Sequence, residues 1–387
     1  MTPRSPSLDH HPALEALFST PDPYAAGPEV DELFVVAMRE AVAWHLHASP
    51  AYANLCRTDG FDLDSLRGVV DLARVPHVFV NVFKTRELLS IPSDRVALHL
   101  TSSGTTGQKS QVFFDAASRD RGLATVDRAY AAMGITSEAP GVRYLLLAHD
   151  PAEALRVGTA FTDTHLTRFA PALEKVYALR WSATRGEFVF REDEAIATLE
   201  RYATSGDPVR IIGFPAFLHR LAVNRLREGL PSLALPASSW VLTGGGWKTS
   251  ESERIDPETF RSEVHAAFGI DPACMRDGYG MVEHGIPYLE CEAHRFHVPV
   301  WARALVRDVT TLASVPEGEV GFLELLTPFN RAMPTLALLT SDLARLERDC
   351  PCGRPTVTIR LSGRAGTRKN RGCALSAAAM LEKGGHA

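Results

Sequence analysis

The sequence predicts an α/β fold with layered sheets and helices, on two observations. Short segments rich in β-branched or large aliphatic residues, each ended by a turn signal, alternate with stretches whose apolar residues recur at every third or fourth position. The chain is also long, at 387 residues with 45% hydrophobic side chains, so it can bury at least one large core.

Taken in order, the first element is a helix from Glu29 to about Ala48, where Leu33, Val36, Ala37, Ala41 and Trp44 repeat with amphipathic spacing. After Pro76 an apolar stretch, VFVNVF, leads through Lys84 to Leu89 towards Val96 to Leu100, which reads as a short buried strand. That strand runs into the polar string SSGTTGQKS. Further strands are expected at Arg143 to Ala148, Val209 to Gly213, Ser239 to Thr243 and Glu319 to Thr327. A helix is expected from Ala216 to Glu228, because Pro215 suits a first helical position. No internal repeat or low-complexity tract interrupts the pattern until the Gly-rich, basic segment at Gly363. The expected division is therefore a core of residues 1–362 with a helical N-terminal part, and a short mobile tail of residues 363–387.

Composition excludes several functions. A formal charge of -5 argues against a nucleic-acid partner, since neutralising phosphates needs clustered Lys and Arg. The longest apolar runs fall far below the roughly 18 residues of a membrane helix, and the first twenty residues, with Pro3, Pro6, Asp9, His10 and His11, lack a secretory apolar region. A cytoplasmic protein with no membrane span is expected. In that setting six cysteines are better suited to metal binding, nucleophilic chemistry or core packing than to disulfides.

The segment Thr101 to Ser110 has the composition of a polyanion cradle. Gly104 and Gly107 allow backbone N–H groups to approach a phosphate. Ser102, Ser103, Thr105 and Thr106 add hydroxyl donors, and Lys109 adds a point charge. The Walker spacing is absent. A Ser/Thr-rich surface turn has the same composition, so the loop alone does not decide.

The ordered set of motifs does more. SSGTTGQKS resembles the signature loop of the adenylate-forming superfamily, which includes acyl-CoA ligases. Thr243-Gly244-Gly245-Gly246 resembles its adenine-side glycine strip, Tyr279-Gly280-Met281-Val282-Glu283 its Y-G-x-T-E motif, and Ser341-Asp342 its ribose-binding motif. Val282 stands where many ligases have threonine. Within that superfamily the chain resembles the LuxE-type acyl-protein synthetases, long-chain fatty acid–luciferin-component ligases, through VFKTRELLS, SSGTTGQKS, LTGGGWK, YGMVEHGIPY and GRAGTRKNRGCA.

The resemblance implies an adenylate-forming N-terminal core whose C-terminal domain is reduced to a tail, because only residues 365–387 follow the hinge-like Gly363-Arg364. It implies ATP and Mg²⁺ as cofactors. Glu283 would hold the Mg²⁺, Lys109 and the loop the phosphates, Tyr279 and Gly280 the adenine side, and Asp342 and Arg364 the ribose side. It also implies that Cys373 takes the acyl group as a thioester and hands it to a LuxC-like acyl reductase. The basic neighbours Arg364, Arg368, Lys369 and Arg371 favour the thiolate. Two other functions stay open: ligation of the acid to coenzyme A or a carrier protein, as in phenylacetate-CoA ligases, and a non-catalytic nucleotide-binding scaffold for a reductase. A greasy acyl pocket is expected near Phe214, Phe217 and Trp240.

A second constellation is Cys291, His294 and His297 followed by Cys350-Pro351-Cys352-Gly353. Two soft and imidazole pairs separated by a loop suit a closed, structural zinc site. Either His294 or His297 fits the spacing; resemblance to phenylacetate-CoA ligases favours Cys291, His297, Cys350 and Cys352. His284, beside Glu283, is read as either an acyl-carboxylate contact or a turn cap.

Overall fold

A computed structural model of the chain describes residues 11–102, 109–137, 141–150, 167–247 and 253–365. These residues divide between two units: one within Met1–Ala129, Gly280–Tyr288 and Arg295–Ala387, the other within Tyr130–Tyr279 and Leu289–His294.

The first unit begins with helices Pro12–Phe18, Pro28–Ala48 and Pro50–Thr58, each opened by a proline whose fixed φ suits the first turn. The helix expected from Glu29 is present; Ala37, Ala41 and Trp44 of the expected stripe are buried, but Leu33 is half-buried and Val36 exposed, and Phe34 and Met38 take the buried positions. Its sheet runs in the order Phe296–His297, Thr358–Arg364, Ala337–Glu347, Gly321–Leu326, Arg303–Arg307, with antiparallel neighbours. Val78–Phe79 adds in parallel to Ala337–Glu347. The rest of the VFVNVF stretch turns into a short 3-10 helix, Val80–Lys84.

The strand expected at Val96 to Leu100 is displaced and is not buried. It spans Leu98–Thr101, is half-buried to exposed, and pairs only with Gln111–Phe114 in a two-stranded hairpin. The partner strand Gln111–Phe114 takes the buried positions, with Val112 and Phe114 packed away, while Leu98 and Leu100 stay half-buried. The hairpin brackets the Ser/Thr/Gly loop; Ser103, Gly104, Thr105, Thr106 and Gly107 lie outside the described residues.

The second unit carries a sheet in the order Tyr288–Leu289, Met275–Tyr279, Trp240–Gly244, Val209–Gly213, Val142–His149, Ala172–Ser182, Glu187–Phe190. Its central strands are parallel and the last pair is antiparallel. Successive side chains along a strand alternate between faces. One face, with Leu145, Ile211, Val241 and Met275, joins Leu199, Tyr202, Leu218 and Leu221 in an apolar core. Those partners come from helices Glu192–Ser205 and Pro215–Arg227, and Pro257–Phe268 supplies Val264 and Phe268. Asp256 starts that last helix by accepting the backbone N–H groups of Glu258 and Thr259, both at 3.0 Å. Val209–Gly213 has the expected bounds, and the other expected strands shift by a residue or two.

Of the three aromatics expected to line one greasy pocket, Phe214 and Phe217 stay together, with ring centroids 6.1 Å apart, and Trp240 does not join them. Phe217 packs on the helix-covered core and against Phe190, at 4.5 Å between ring centroids, whereas Trp240 stands on the opposite face with Arg210. Phe217 belongs to a helix on the covered face, while the register of Trp240 with Arg210 turns its side chain to the other face.

Candidate active site and cysteine–histidine cluster

In the second unit, Gly244 to Gly246 follow the strand Trp240–Gly244, and Tyr279 ends the neighbouring strand Met275–Tyr279. Register places Thr243 opposite Asp277 and Gly244 opposite Gly278, so the glycine strip and Tyr279 leave the sheet side by side at its carboxyl edge. Such edges are where open α/β sheets bind ligands. Gly245 and Gly246 have φ of 73° and 68°, the left-handed region that glycine enters without strain.

The sequence did not single out Asp277. The Thr243 hydroxyl donates to its Oδ1 at 2.8 Å, and its backbone N–H donates to Glu290 Oε2 at 2.9 Å. Burial, then repulsion from Glu290, pushes the Asp277 carboxyl up to about 7. No residue-type signal marks such a pair; only the fold brings residue 290 back to residue 277.

In the first unit, Ser102 closes the base of the loop. Its Oγ accepts the Ser110 N–H at 2.9 Å, and its N–H donates to the Ser110 carbonyl at 3.2 Å. Lys109 is exposed. Glu283 is buried, and its carboxylate has no hydrogen-bond partner among the described residues, which suits a ligand for a hard cation. Gly280 opens the turn that carries Glu283. Gly285 in the same turn has φ of 76°, and a Cβ there would meet Phe329 at 2.4 Å. His284 is buried with Nε2 2.8 Å from the Tyr288 hydroxyl, and burial lowers its pKa to about 3, so it is held neutral. Asp342 and Arg364 face each other across paired strands, and Arg364 Nε donates to Asp342 Oδ1 at 3.0 Å. Cys373 lies outside the described residues.

The cysteine–histidine constellation closes up. The ligand atoms of Cys291, His297, Cys350 and Cys352 all lie within 4.8 Å of one another. His297 Nε2 is 3.1 Å from Cys352 Sγ, and its Nδ1 is 3.0 Å from Thr356 Oγ1, a partner that holds the ring with Nε2 towards the sulfurs. His297 is anchored by the pairing of Phe296–His297 with Thr358–Arg364, while Cys291 is tied to it by the intervening residues 292–296. His294 instead has φ of 54°, and its Nδ1 lies 3.5 Å from Glu290 Oε2. The donor set, three thiols and one imidazole, fits a tetrahedral zinc ion.

The fold is that of the adenylate-forming ligases. A crystal structure of 2-hydroxyisobutyryl-CoA ligase in the postadenylation state with 2-HIB-AMP aligns over 93% of this chain and 73% of its own, with a TM-score of 0.67 and 15% sequence identity. The family model "Acyl-protein synthetase, LuxE" matches residues 13–382, and the chain belongs to that family. Similar proteins include long-chain-fatty-acid–luciferin-component ligases of Aliivibrio fischeri, 27% identical over 89% of this chain and 88% of that protein, and of Vibrio harveyi, 27% identical over 88% and 85%. A phenylacetate-coenzyme A ligase of Thermus thermophilus is 26% identical over 83% of this chain and 67% of that protein. Family membership makes the chain a ligase. Among the described residues no helix is long and apolar enough to cross a membrane.

Proposed function

We propose that the chain activates a fatty carboxylic acid with ATP and passes the acyl group to its own Cys373, from which a reductase partner takes it. The observation that carries this reading is the family match over residues 13–382, which includes both the adenylation motifs and the cysteine.

In the first half-reaction a carboxylate oxygen attacks the α-phosphorus of ATP, the bond to pyrophosphate breaks, and acyl-AMP forms. Lys109 and the loop hydroxyls hold the phosphates, and Gly244 to Gly246 with Tyr279 flank the adenine. Asp342 accepts from the ribose hydroxyls beside Arg364. Glu283 is the magnesium-holding residue; the ion supplies charge neutralisation between two mutually repelling anions. In the second half-reaction the Cys373 thiolate attacks the acyl carbon, the bond to AMP breaks, and a thioester remains. Zinc at Cys291, His297, Cys350 and Cys352 is structural in this reading, because four protein ligands leave no open position.

Peptide mapping after incubation with Mg-ATP and a series of fatty acids tests this directly. A hydroxylamine-labile adduct on Cys373, lost in Cys373→Ser, is expected. AMP release without that adduct would move the acceptor to coenzyme A or a carrier protein, the alternative that the Thermus phenylacetate-coenzyme A ligase supports.

A further inference from the structure

Connections between strands normally run over the surface. The one between Gly321–Leu326 and Ala337–Glu347 is buried instead, with Phe329 2%, Asn330 1% and Met333 0% exposed. A buried connection must have its backbone groups satisfied. Arg121 Nη1 donates to the Phe329 carbonyl at 2.8 Å, Trp44 Nε1 donates to the Arg331 carbonyl at 2.8 Å, and His45 Nε2 lies 3.0 Å from the Asn330 carbonyl. Residues 329–333 are thereby fixed to the helices Pro28–Ala48 and Ala116–Ala132.

From this base two side chains reach the hairpin that brackets the Ser/Thr/Gly loop. A two-stranded hairpin leaves alternate backbone groups facing outward with no strand to bond them. On Gln111–Phe114 those of Phe113 are taken up by side chains: Asn330 Nδ2 donates to its carbonyl at 3.0 Å, and its N–H donates to Met333 Sδ at 3.1 Å. Asn330 Oδ1 accepts the Ala332 N–H at 2.9 Å, which sets the orientation of the amide. Phe329 reaches two more places. Its ring centroid is 5.9 Å from that of Phe114 in the hairpin, and the ring fills the space a Cβ on Gly285 would need, in the turn that carries Glu283. All of these residues belong to the first unit.

We infer that Phe329, Asn330 and Met333 are positioning residues for the phosphates of ATP. They hold the hairpin of the phosphate loop and the turn of Glu283 against one rigid base, so that donors and metal ligand are in place before the nucleotide arrives. They act through Phe113 and Gly285, not on the nucleotide itself. The inference rests on the nucleotide half of the proposed function, the phosphate role of the loop and the magnesium role of Glu283, and not on acid activation or Cys373.

Calorimetric titration of the full chain with Mg-ATP and with AMP, which lacks the β- and γ-phosphates, tests it. Asn330→Asp keeps the shape and the acceptor for Ala332 but has no donor for the Phe113 carbonyl. It is expected to bind Mg-ATP roughly tenfold more weakly, with AMP affinity unchanged. Met333→Leu, which removes only the sulfur acceptor, should lose about threefold for Mg-ATP. Phe329→Leu, which loosens the Glu283 turn, should raise the Mg²⁺ concentration for half-maximal ATP binding roughly tenfold. Equal losses for Mg-ATP and AMP would make these residues purely structural and overturn the inference. Unchanged Mg-ATP binding in Asn330→Asp, or a wild type that binds no ATP, would overturn it as well. If Asn330→Asp does not fold, Met333→Leu and Phe329→Leu decide, and an unchanged ratio of Mg-ATP to AMP affinity in both refutes it. The expected pattern in a protein without acid-dependent pyrophosphate exchange would support this inference while refuting acid activation.

Discussion

The two faces of the second unit's sheet are made by alternate residues of the same strands, yet they are built to different ends. One presents Leu145, Ile211 and Val241 to three helices and is closed by apolar packing. The other presents Tyr144, Arg210, Trp240 and Arg276, and leaves guanidinium donors unpaired. Identical backbone pairing supports both, so the difference lies wholly in side chains. The first face spends its residues on stability; the second keeps groups whose burial is unfavourable without a partner.

The largest expected effect breaks the first face. Leu145 and Leu218 are fully buried, and Leu145→Ala or Leu218→Ala should each cost about 2–5 kcal/mol in urea unfolding of this unit. A loss near zero would mean that the helix-covered face is not its core. Next comes the carboxyl edge of the same face, where burial and then repulsion from Glu290 push the Asp277 carboxyl pKa up. Its folded pKa, about 7, lies above the ordinary value of 3.8, so the folded state binds the extra proton between those values. Its contribution to stability is therefore full at low pH and is lost as pH rises through about 7. Asp277→Asn keeps an acceptor for Thr243 and should flatten that slope in melting curves taken from pH 5 to pH 8. An unchanged slope would assign the pH dependence elsewhere. In the first unit the sign is reversed: His45, buried between Ser90 and the Asn330 carbonyl, has its pKa lowered from 6.5 to about 3. Its contribution is present above pH 6.5 and lost as pH falls towards 3, and His45→Gln should blunt acid unfolding over that range. The smallest effect belongs to the second face: Arg276→Met should lie within about 0.5 kcal/mol of wild type or above it in urea unfolding, because it removes a buried, unpaired charge.

Much of this architecture is legible in the sequence where local chemistry and tertiary role coincide. Val209–Gly213 is a compact aliphatic run ended by a glycine, and its bounds can be read directly. The glycine strip and the Tyr279 to Glu283 segment sit at strand ends, where motif and turn reinforce each other. Cys350 and Cys352 announce a ligand pair by spacing alone, whereas spacing leaves His294 and His297 open, and the choice of His297, which the fold matches, comes from the resemblance. Legibility fails where residues act through partners distant in sequence. Ala172–Ser182 mixes charged and apolar side chains with no regular period, lies next to the sheet edge and buries only Ala178 and Leu179. The helix Ala116–Ala132 is rich in alanine and charge and has only a weak apolar stripe. Arg210 and Arg276 look like surface cations until strand pairing puts them on either side of one buried-face indole. The Val96 to Leu100 segment fails in the other direction, because its apolar residues imply burial that the hairpin gives to Val112 and Phe114 on the partner strand.

The measurement closest to the central claim is ATP–pyrophosphate exchange with a panel of fatty and aryl acids, run on the wild type and on Glu283→Gln. Acid-dependent and magnesium-dependent exchange in the wild type, reduced about a hundredfold or more in the variant, is the predicted result. No exchange with any acid, in a preparation that binds ATP and melts cooperatively, would contradict acid activation and leave a nucleotide-binding scaffold in its place.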